Sequence, residues 1–409
     1  MSVEALKCKE CGSRYPLDAR YACEACWGPL EVAYDFSSLD PESARRRIQA
    51  GPHSLWRYAD FLPFESSPRT ALPAGMTPLV RADRLAERLG LRELWVKNDA
   101  ANPTHSFKDR VVSVALPKAR ELGYGVLACA STGNLANAVA AHAAANGLES
   151  YVFVPSDLEE QKILATGVYG TNLVSVRGSY DDVNRLCTQL AGEREWAFVN
   201  VNLRPYYAEG SKTLAFEIAE QLGFEQPDRV VVPIASGSLF TKIARGFEEW
   251  RSVGLLEGEA PVFNGAQAEG CSPVAQAYGA GHDVCRPVKP TGIAKSLAIG
   301  DPADGPYALD LARRSRGAID AVSDEEIREG IRLLAKTTGI FTETAGGTTT
   351  AVLKKLAERG DIDAGERVVL VITGEGLKTL DAVRGTFEAH EIDPTVASFS
   401  DAFASAQPV

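Results

Sequence analysis

Uninterrupted apolar segments, separated by helical ones, recur along most of the chain. The sequence predicts continuous apolar strands at Val126–Cys129, Tyr151–Val154, Arg229–Pro233 and Val368–Ile372. Between them lie helical stretches, of which the alanine-rich Leu135–Asn146 is the clearest. Strands that are apolar on both faces are typical of a parallel sheet covered by helices on both sides. The pattern therefore predicts an α/β fold with ligand sites in the loops that follow its strands.

The first 33 residues follow a different pattern, which is set by cysteines. Cys8 and Cys11 form one C-x-x-C pair, Cys23 and Cys26 form a second, and 11 residues separate the two pairs. This spacing is typical of a zinc ribbon, in which four thiolates complete a closed tetrahedral site. We expect a structural zinc ion with no open position for catalysis. The alternative is a ribbon that keeps its cysteines but binds metal weakly.

Composition narrows the classes of function. The 409 residues carry a formal net charge of −11. This argues against general nucleic-acid binding, which needs a basic face. The sequence has no window of about 18 apolar residues that would span a membrane, and the N-terminus lacks the apolar core of a secretory signal. We therefore expect a cytoplasmic protein that binds neither nucleic acids nor membranes.

The first loop with candidate chemistry is Asn102–Arg110, which precedes a helix predicted at Val111–Leu122. We expect Ser106 to cap this helix and Lys108 to lie in its first turn. The helix dipole opposes a cation there and lowers the pKa of a lysine, as a nucleophilic amine requires. The alternative is a surface lysine that forms an ion pair with Asp109.

The second loop, Ser-Thr-Gly-Asn at 131–134, joins a predicted strand to the alanine-rich helix. Two hydroxyls, a glycine and an amide above consecutive backbone N–H groups can bind a carboxylate or an aromatic hydroxyl. A simple N-cap would explain one of these residues but not all four.

Two further loops follow the apolar strands nearest the C-terminus. The loop at 236–240, Ser-Gly-Ser-Leu-Phe, opens a helix with small residues, so its backbone N–H groups suit a monophosphate. Thr373 begins the loop Thr-Gly-Glu-Gly-Leu-Lys. A threonine at the end of a strand either caps a helix or hydrogen-bonds a ring nitrogen.

Together these loops resemble the pyridoxal-phosphate enzymes of the tryptophan synthase β fold, known as fold type II. Five motifs in the family's order look like those of the threonine synthases within that fold. They are N-P-T-H-S-F-K-D-R from Asn102, S-T-G-N from Ser131, R-P-Y-Y-A-E-G-S-K-T from Arg204, E-T-A-G-G from Glu343 and T-G-E-G-L-K from Thr373. The resemblance covers about residues 75–388.

The resemblance implies a role for each candidate residue. Lys108 would bind the cofactor, pyridoxal 5′-phosphate, covalently and would also shuttle protons. The other residues implied to contact the cofactor are Asn134 at its 3′-oxygen, Thr373 at its ring nitrogen, and Ser236, Gly237, Ser238, Leu239 and Phe240 at its phosphate. The residues implied to bind substrate are Ser131, Thr132 and Gly133 at the carboxylate, and Asn202 and Arg204 at the phosphate, with Lys212 as a further cation.

The implied reaction converts O-phospho-L-homoserine and water to L-threonine and phosphate by γ-elimination and β-addition. The departing phosphate needs an anion site separate from that of the cofactor. Asn202 and Arg204 therefore favour this reaction over those of serine/threonine dehydratases and cysteine synthases. Cysteate synthase, which uses O-phosphoserine, stays an alternative. An inactive enzyme body attached to a zinc-dependent interaction module is an alternative of another class.

The implied architecture is two doubly wound parallel-sheet domains after a zinc-ribbon-like segment, 1–33. We expect a large cofactor-binding domain from 34–105 and 204–390, and a small mobile domain, 106–203, that closes over the substrate. Residues 391–409 are polar and aperiodic, which predicts a flexible tail. A homodimer is implied by the resemblance alone.

Overall fold

Two largely parallel β-sheets covered by helices form the body of the chain, and a small antiparallel sheet precedes them. The computed structural model describes residues 2–65, 67–68 and 70–403. The strands are β1 (Ser2–Cys8), β2 (Arg14–Tyr15), β3 (Leu30–Asp35), β4 (Leu79–Arg81), β5 (Glu93–Asn98), β6 (Val126–Ala130), β7 (Glu149–Pro155), β8 (Asn172–Val176), β9 (Ala197–Phe198), β10 (Arg229–Pro233), β11 (Val262–Ala268), β12 (Ile319–Val322) and β13 (Arg367–Ile372).

Helices connect most of these strands. The α-helices are α1 (Pro41–Ala50), α2 (Asp83–Leu89), α3 (Lys108–Glu121), α4 (Asn134–Ala145), α5 (Glu160–Gly167), α6 (Tyr180–Glu193), α7 (Arg204–Gln221), α8 (Ser238–Ser252), α9 (Pro273–Gly279), α10 (Gly305–Arg314), α11 (Asp324–Thr338), α12 (Thr344–Glu358) and α13 (Val396–Ala402). Short 3₁₀ segments lie at Leu55–Phe61, Asp99–Ala101, Lys295–Leu297 and Gly376–Val383. In the described part of the chain, no helix is both long enough and apolar enough to cross a membrane.

The larger sheet has the strand order β12-β11-β10-β13-β5-β4. Its pairs are parallel except at one edge, where β4 runs antiparallel to β5. The smaller sheet has the order β8-β7-β6-β9, and its pairs are parallel. The uniformly buried β10 lies inside the larger sheet, as expected for a strand covered on both faces. The α/β prediction is therefore confirmed.

The N-terminal segment is a three-stranded antiparallel sheet with the order β2-β1-β3. We call residues 2–35 the ribbon. The chain then runs through α1 into an aromatic stretch that packs on the body. Trp56, Tyr58, Phe61 and Phe64 are all buried there, and the Tyr58 hydroxyl donates to Glu220 at 2.5 Å. The buried rings contribute apolar contact between this stretch and the body.

A buried ion cluster ties the larger sheet to α3 and α7, and we call it the paired cluster. Arg110 donates to Asp99 at 2.6 Å and to Glu217 at 2.5 Å, and Lys97 donates to Glu217 at 2.7 Å. Burial alone would raise the pKa of Glu217, but Arg110 and Lys97 lower it to about 2. Every charge in this cluster has a partner of opposite sign.

The predicted tail contains one element that the sequence pattern did not indicate. Helix α13 occupies Val396–Ala402, and the Thr395 hydroxyl accepts from the Ser398 N–H at 3.2 Å. None of its residues is buried, so a local cap rather than an apolar face defines it. Residues 404–409 of the predicted tail lie outside the described residues.

The carboxyl ends of β6, β10 and β13 bring together the loops that carry candidate chemistry. Three helices begin nearby: α3 at Lys108, α4 at Asn134 and α8 at Ser238. Helix N-termini present unpaired N–H groups and a partial positive charge, so this edge of the two sheets favours anions.

Candidate active site

A cavity of about 180 Å³ lies where these loops meet. The predicted site residues in its lining are Lys108, Ser131, Thr132, Asn134, Arg204, Ser236, Gly237, Ser238, Leu239 and Thr373. A wider groove of about 1010 Å³ lies near the amino ends of β10 and β11, and none of the predicted site residues line it. The sequence motifs therefore converge on the smaller, more enclosed cavity.

Four predicted residues, Gly133, Phe240, Asn202 and Lys212, lie outside the lining. Gly133 has a φ of +120°, and a Cβ there would come within 2.2 Å of the Lys162 side chain, so its contribution is the turn itself. Phe240 is fully buried in the core. Asn202 donates from Nδ2 to the Trp196 carbonyl at 3.0 Å, and its Oδ1 is buried without a partner among the described residues.

Lys212, the further cation expected at the substrate phosphate, is also committed elsewhere. Its ammonium group donates to Glu249 at 2.8 Å and lies 2.5 Å from Glu209, and all three side chains are buried. It is absent from the cavity lining. The ion pairs of Lys212 with Glu209 and Glu249 are therefore structural.

Lys108 begins α3 and points its amine into the cavity. Its Nζ lies 2.8 Å from the Tyr207 hydroxyl oxygen, to which it donates. Burial lowers the pKa of Lys108 to about 8, with Cys129 and Glu343 acting in the opposite direction. The lowered pKa agrees with the prediction, but burial, rather than the helix dipole, is its main cause.

The predicted surroundings of Lys108 need two corrections. Phe107, not Ser106, is the N-cap residue of α3, and the Ser106 hydroxyl is buried without a hydrogen-bond partner among the described residues. Asp109 does not pair with Lys108. Its carboxylate accepts from Thr104 at 2.8 and 2.9 Å and contacts His142 at 2.9 Å, because α3 turns that side chain into the core.

The side-chain amide of Asn134 is held from two sides. Its Nδ2 donates to Glu343 at 2.8 Å, and its Oδ1 accepts from Lys378 at 3.0 Å. Lys378 also donates to the Thr104 carbonyl at 2.6 Å. Burial lowers the pKa of Lys378 to about 8, whereas Glu343 and Asp109 raise it. Because a lysine can only donate, Oδ1 must face Lys378, and the NH₂ group is turned the other way.

The other Glu343 oxygen is poorly compensated. Oε2 is buried with no hydrogen-bond partner among the described residues, and the nearest cation is Lys162, 4.0 Å away. Lys162 is itself fully buried and lies 3.3 Å from Glu159. We call Lys108, Asn134, Glu343 and Lys378 the site cluster.

Ser131 organises the turn before α4. Its Oγ accepts from the backbone N–H groups of Gly133 at 2.9 Å and Ala136 at 2.8 Å. Both bonds use the hydroxyl oxygen as acceptor, so its proton stays free to donate into the cavity.

The loop before α8 has the features of an anion-binding turn. Gly237 has a φ of +93°, and a Cβ there would come within 2.7 Å of the Asp304 carbonyl oxygen. Gly237 has no side chain to cap α8, and the Ser238 N–H makes a long bond of 3.4 Å to the Ser236 Oγ. The N–H groups of Leu239 and Phe240 have no partner among the described residues and remain available. A 15-residue helix with an uncapped, cavity-facing N-terminus suits a phosphate group.

Arg204 supplies a cation at a different part of the same cavity. Its guanidinium donates to Asp304 at 2.6 Å, and this carboxylate raises the pKa of Arg204 further. The cavity therefore has two features for anions, the α8 loop and the Arg204 side chain.

Sequence reasoning assigned no role to Tyr207 or Lys378, although both lie in quoted motifs. Tyr207 comes three residues after Arg204 on α7, so helical spacing puts the two side chains on one face. Lys378 closes the T-G-E-G-L-K motif. Its partner on α4 is 244 residues away in sequence, so no local pattern could have indicated the contact. Glu343, the first residue of the E-T-A-G-G motif, lines the cavity and makes no side-chain cap.

The four ribbon cysteines also come together. Their sulfur atoms lie within 4.8 Å of one another, with Cys8 3.5 Å from Cys26 and Cys11 3.6 Å from Cys23. Four thiolates at about 2.3 Å from a tetrahedral zinc ion are about 3.8 Å apart. The cysteine geometry therefore fits a zinc ion.

Comparison with known proteins agrees with the resemblance that the sequence motifs indicate. The model of the family described as pyridoxal-phosphate dependent enzyme matches residues 70–374. The threonine synthase of Methanocaldococcus jannaschii is 39% identical, over 95% of this chain and 96% of its own. That of Methanosarcina acetivorans is 38% identical, over 96% of this chain and 95% of its own.

Solved structures share the fold at lower sequence identity. An L-serine ammonia-lyase from Rhizomucor miehei superposes with a TM-score of 0.66 at 21% identity, and the match covers 78% of this chain and 100% of that one. An O-ureido-L-serine synthase superposes with a TM-score of 0.64 at 20% identity, over 81% of this chain and 96% of that one. The parallel-sheet architecture is thus shared with both enzymes.

Proposed function

The chain belongs to the threonine synthases within the family of pyridoxal-phosphate dependent enzymes, and from this membership we propose which residues convert O-phospho-L-homoserine and water to L-threonine and phosphate. The observation that carries the proposal is a buried amine of lowered pKa, Lys108, in one cavity with two separate features that suit anions. A reaction that needs both a cofactor phosphate and a substrate phosphate requires such a pair.

The cavity residues fit pyridoxal phosphate. Lys108 would hold it covalently, the uncapped first turn of α8 would bind its phosphate, and Thr373 would face its ring nitrogen. The donor NH₂ of Asn134 would meet its 3′-oxygen, with Lys378 fixing the orientation of that amide. When bound, the cofactor supplies an electron sink for negative charge at the substrate.

Lys108 acts as the proton carrier in this proposal. With a pKa of about 8, a useful fraction of its amine is neutral near neutral pH and accepts a proton. The same amine takes protons from Cα and then from Cβ as phosphate leaves Cγ. A proton is then delivered to Cγ, the hydroxyl of water adds at Cβ, and a proton returns to Cα, which gives L-threonine and phosphate. Tyr207, 2.8 Å from Nζ, keeps the amine aimed into the cavity.

Substrate is held at both of its ends. Ser131 and Thr132 line the cavity beside the α4 N-terminus and suit the carboxylate. Arg204 suits the phosphate. Asn202 and Lys212 lie outside the cavity lining, and the Lys212 ammonium is paired with Glu209 and Glu249. A second phosphate feature favours threonine synthase over dehydratases, whose substrates carry no phosphate.

The experiment measures phosphate release and amino-acid products from O-phospho-L-homoserine with the cofactor-loaded enzyme. We expect L-threonine and phosphate in equal amounts, and a loss of at least about 10³-fold in Lys108→Ala. Lys354→Ala, an exposed lysine on α12, is the matched control and retains full activity.

Two outcomes would contradict the proposal. Release of phosphate from O-phosphoserine but not from O-phospho-L-homoserine would move the assignment to the cysteate synthase alternative. Full activity in Lys108→Ala would remove Lys108 as the proton carrier.

We further propose that Cys8, Cys11, Cys23 and Cys26 bind one structural zinc ion, which the cysteine geometry supports. Emission spectrometry should find one zinc per chain in the purified protein and none in the double variant Cys8→Ser/Cys23→Ser. Removing the metal with a chelator should lower the melting temperature, because the site closes the ribbon. Unchanged melting after complete removal of zinc would contradict a structural role.

Assembly, location and domain movement are also proposals. The family resemblance supports a homodimer, for which light scattering should give twice the mass of one chain. It also supports a cytoplasmic location and closure of a small domain, 106–203, over a larger one formed by 34–105 and 204–390. Small-angle scattering with and without substrate would detect that closure as a decrease in the radius of gyration.

A further inference from the structure

The ribbon contributes one side chain to the active-site cavity. Tyr21 lies between the two C-x-x-C pairs, and it lines the cavity that also contains Arg204 and Lys108. Its side chain is 47% exposed, and its hydroxyl has no hydrogen-bond partner among the described residues. An aromatic hydroxyl at a cavity wall with no partner of its own is available to a ligand.

The loop that carries Tyr21 is fixed on both sides. On one side, the Tyr206 hydroxyl of α7 donates to the Asp18 carbonyl at 3.0 Å. On the other, Cys23 is fully buried within the cysteine cluster. Tyr21 is therefore presented by an anchored loop rather than by a free one.

Further contacts attach the whole ribbon to the body. Glu31 forms an ion pair with Lys242 of α8 at 3.0 Å, and the Lys9 ammonium lies 3.6 Å from the centre of the Tyr307 ring. The Tyr307 hydroxyl also donates to Glu10. These contacts join the ribbon to α8 and α10, so its position relative to the cavity is defined.

The charges at the Arg204 side of the cavity explain why a neutral donor is useful there. Arg204 is already paired with Asp304 at 2.6 Å, and Asp181 and Asp301 line the same cavity. An incoming phosphate therefore meets a cation whose charge is largely compensated. A phenol hydroxyl adds a hydrogen bond to phosphate without adding to the negative charge.

We infer that Tyr21 is a substrate-binding residue that donates from its hydroxyl to the phosphate of O-phospho-L-homoserine, which makes the ribbon part of the active site. The inference rests on the proposed function, because it takes the Arg204 side of the cavity as the place of the substrate phosphate. Tyr21 would thus be a substrate-binding residue that lies outside the two parallel sheets and their helices.

The experiment compares Tyr21→Phe and Tyr21→Ala with the wild type, all loaded with cofactor. Tyr21→Phe removes only the hydroxyl, so we expect the KM for O-phospho-L-homoserine to rise about tenfold, with kcat changed less than about twofold. The inhibition constant of inorganic phosphate, measured as a competing product, should rise by a similar factor. Tyr21→Ala should raise the KM at least as much.

Trp27 provides the matched control. It is an aromatic residue of the same ribbon, 81% exposed and absent from the cavity lining. Its φ of +61° makes Trp27→Asn the suitable substitution, since asparagine tolerates that conformation. This variant should keep the wild-type KM and phosphate inhibition.

Three outcomes would overturn the inference. An unchanged KM in Tyr21→Phe would remove the hydroxyl bond, whether or not Tyr21→Ala is impaired. A fall in kcat at constant KM would place the effect on chemistry rather than on binding. An equal rise in KM in Trp27→Asn would assign the effect to ribbon folding. A wild-type enzyme that releases no phosphate from this substrate would instead overturn the proposed function itself.

Discussion

The chain buries two clusters of charged side chains that differ in how completely their members are paired. In the paired cluster, Arg110 bridges Asp99 and Glu217, and Lys97 completes the pairing. In the site cluster, the Lys108 amine has only the Tyr207 hydroxyl as a partner, and one Glu343 oxygen has none among the described residues. The paired cluster is fully buried, whereas Lys108 is partly open to the cavity, so the clusters differ in pairing and in contact with the cavity.

The consequence is visible in the direction of the pKa shifts. In the paired cluster the pKa of Glu217 is lowered to about 2, which keeps it ionised, despite the opposing effect of burial. In the site cluster burial lowers the pKa values of Lys108 and Lys378 to about 8 each. Pairing keeps the Glu217 carboxylate ionised, although burial lowers the pKa of Lys97 in the same cluster. In the site cluster, burial with fewer partners leaves two amines that change protonation state near physiological pH. The first cluster suits stability and the second suits proton transfer.

Breaking the paired cluster should give the largest effect on stability. Glu217→Gln leaves Arg110 and Lys97 short of negative charge in the core, so the free energy of unfolding should fall by about 3–5 kcal/mol. Chemical denaturation of the holoenzyme at pH 7 measures it. Glu225→Gln, which removes an exposed partner of Arg367, should cost less than about 1 kcal/mol.

The pH dependence of the free energy of unfolding gives a second measure of the contribution of Glu217. The folded-state pKa of Glu217 is depressed from 4.5 to about 2. Its contribution is therefore fully present above pH 4.5 and is lost as the pH falls toward 2. The difference between wild type and Glu217→Gln should shrink over that window. A difference that stays constant down to pH 2 would show that Glu217 acts through packing alone.

Removing a charge from the site cluster should stabilise the protein, whereas removing one from the paired cluster destabilises it. The pKa of Lys108 falls from 10.5 in the unfolded chain to about 8 in the folded one, so below pH 8 the fold bears the whole cost of burying the charge. This is roughly 3 kcal/mol. Lys108→Met should therefore stabilise the cofactor-free protein by about that amount at pH 7.

The advantage of Lys108→Met should decline as the pH rises from 8 to 10.5, because wild-type stability increases over that range. Thermal denaturation of the cofactor-free protein at several pH values measures this. Lys354→Met on the surface should show no such trend. A variant less stable than the wild type at pH 7 would indicate that Lys108 is structurally compensated like Lys97.

Much of the fold could be predicted from the sequence because its signals are local. The predicted strand Arg229–Pro233 has the same bounds as β10, and Val368–Ile372 differs from β13 by one residue. The uninterrupted apolar residues of each strand, followed by a loop that contains glycine, are sufficient to predict these bounds. The predicted N-cap of α3 was wrong. The Ser106 hydroxyl is buried without a partner in the described part of the folded chain, and the local sequence does not indicate that burial.

The sequence predicted the position of residues in the cavity where motifs lie in loops, and not where contacts connect distant elements. Lys108 and Asn134 line the cavity as expected, because each begins a helix after a distinctive loop. Asn202 and Lys212 lie outside the lining, where Asn202 contacts the Trp196 carbonyl and Lys212 pairs with Glu249. A polar residue's role depends on whether its partners come from the protein, and sequence spacing does not reveal that for residues far apart.

Removing Lys378 tests whether the site cluster positions Asn134. Lys378→Met deletes the donor to the Asn134 Oδ1, so the amide is free to rotate and to present the wrong atom. We expect kcat/KM to fall about 30-fold, equivalent to about 2 kcal/mol, as for a hydrogen bond to a charged group. The cofactor dissociation constant should rise as well, which absorbance titration measures.

A structural role for Lys378 would give a different result. In that case the melting temperature would fall while the cofactor affinity of the folded fraction stayed unchanged. Lys354→Met serves again as the control for loss of a lysine. Partial recovery of cofactor affinity in Lys378→Arg, which retains a donor, would support positioning.

The smallest effect should come from the lone partner of the Lys108 amine, and a neighbouring tyrosine allows a matched comparison. Tyr207→Phe removes the hydroxyl 2.8 Å from Nζ. Because that bond aims the amine without reacting, kcat should fall about fivefold, or about 1 kcal/mol. Tyr206→Phe loses a similar bond to the Asp18 carbonyl of the ribbon, so it should leave kcat unchanged and raise the KM through Tyr21. Steady-state kinetics on both variants separate the two effects. An equal fall in kcat for both would mean that α7 responds as a unit, and that the incomplete pairing of Lys108 is not what distinguishes the site cluster from the paired one.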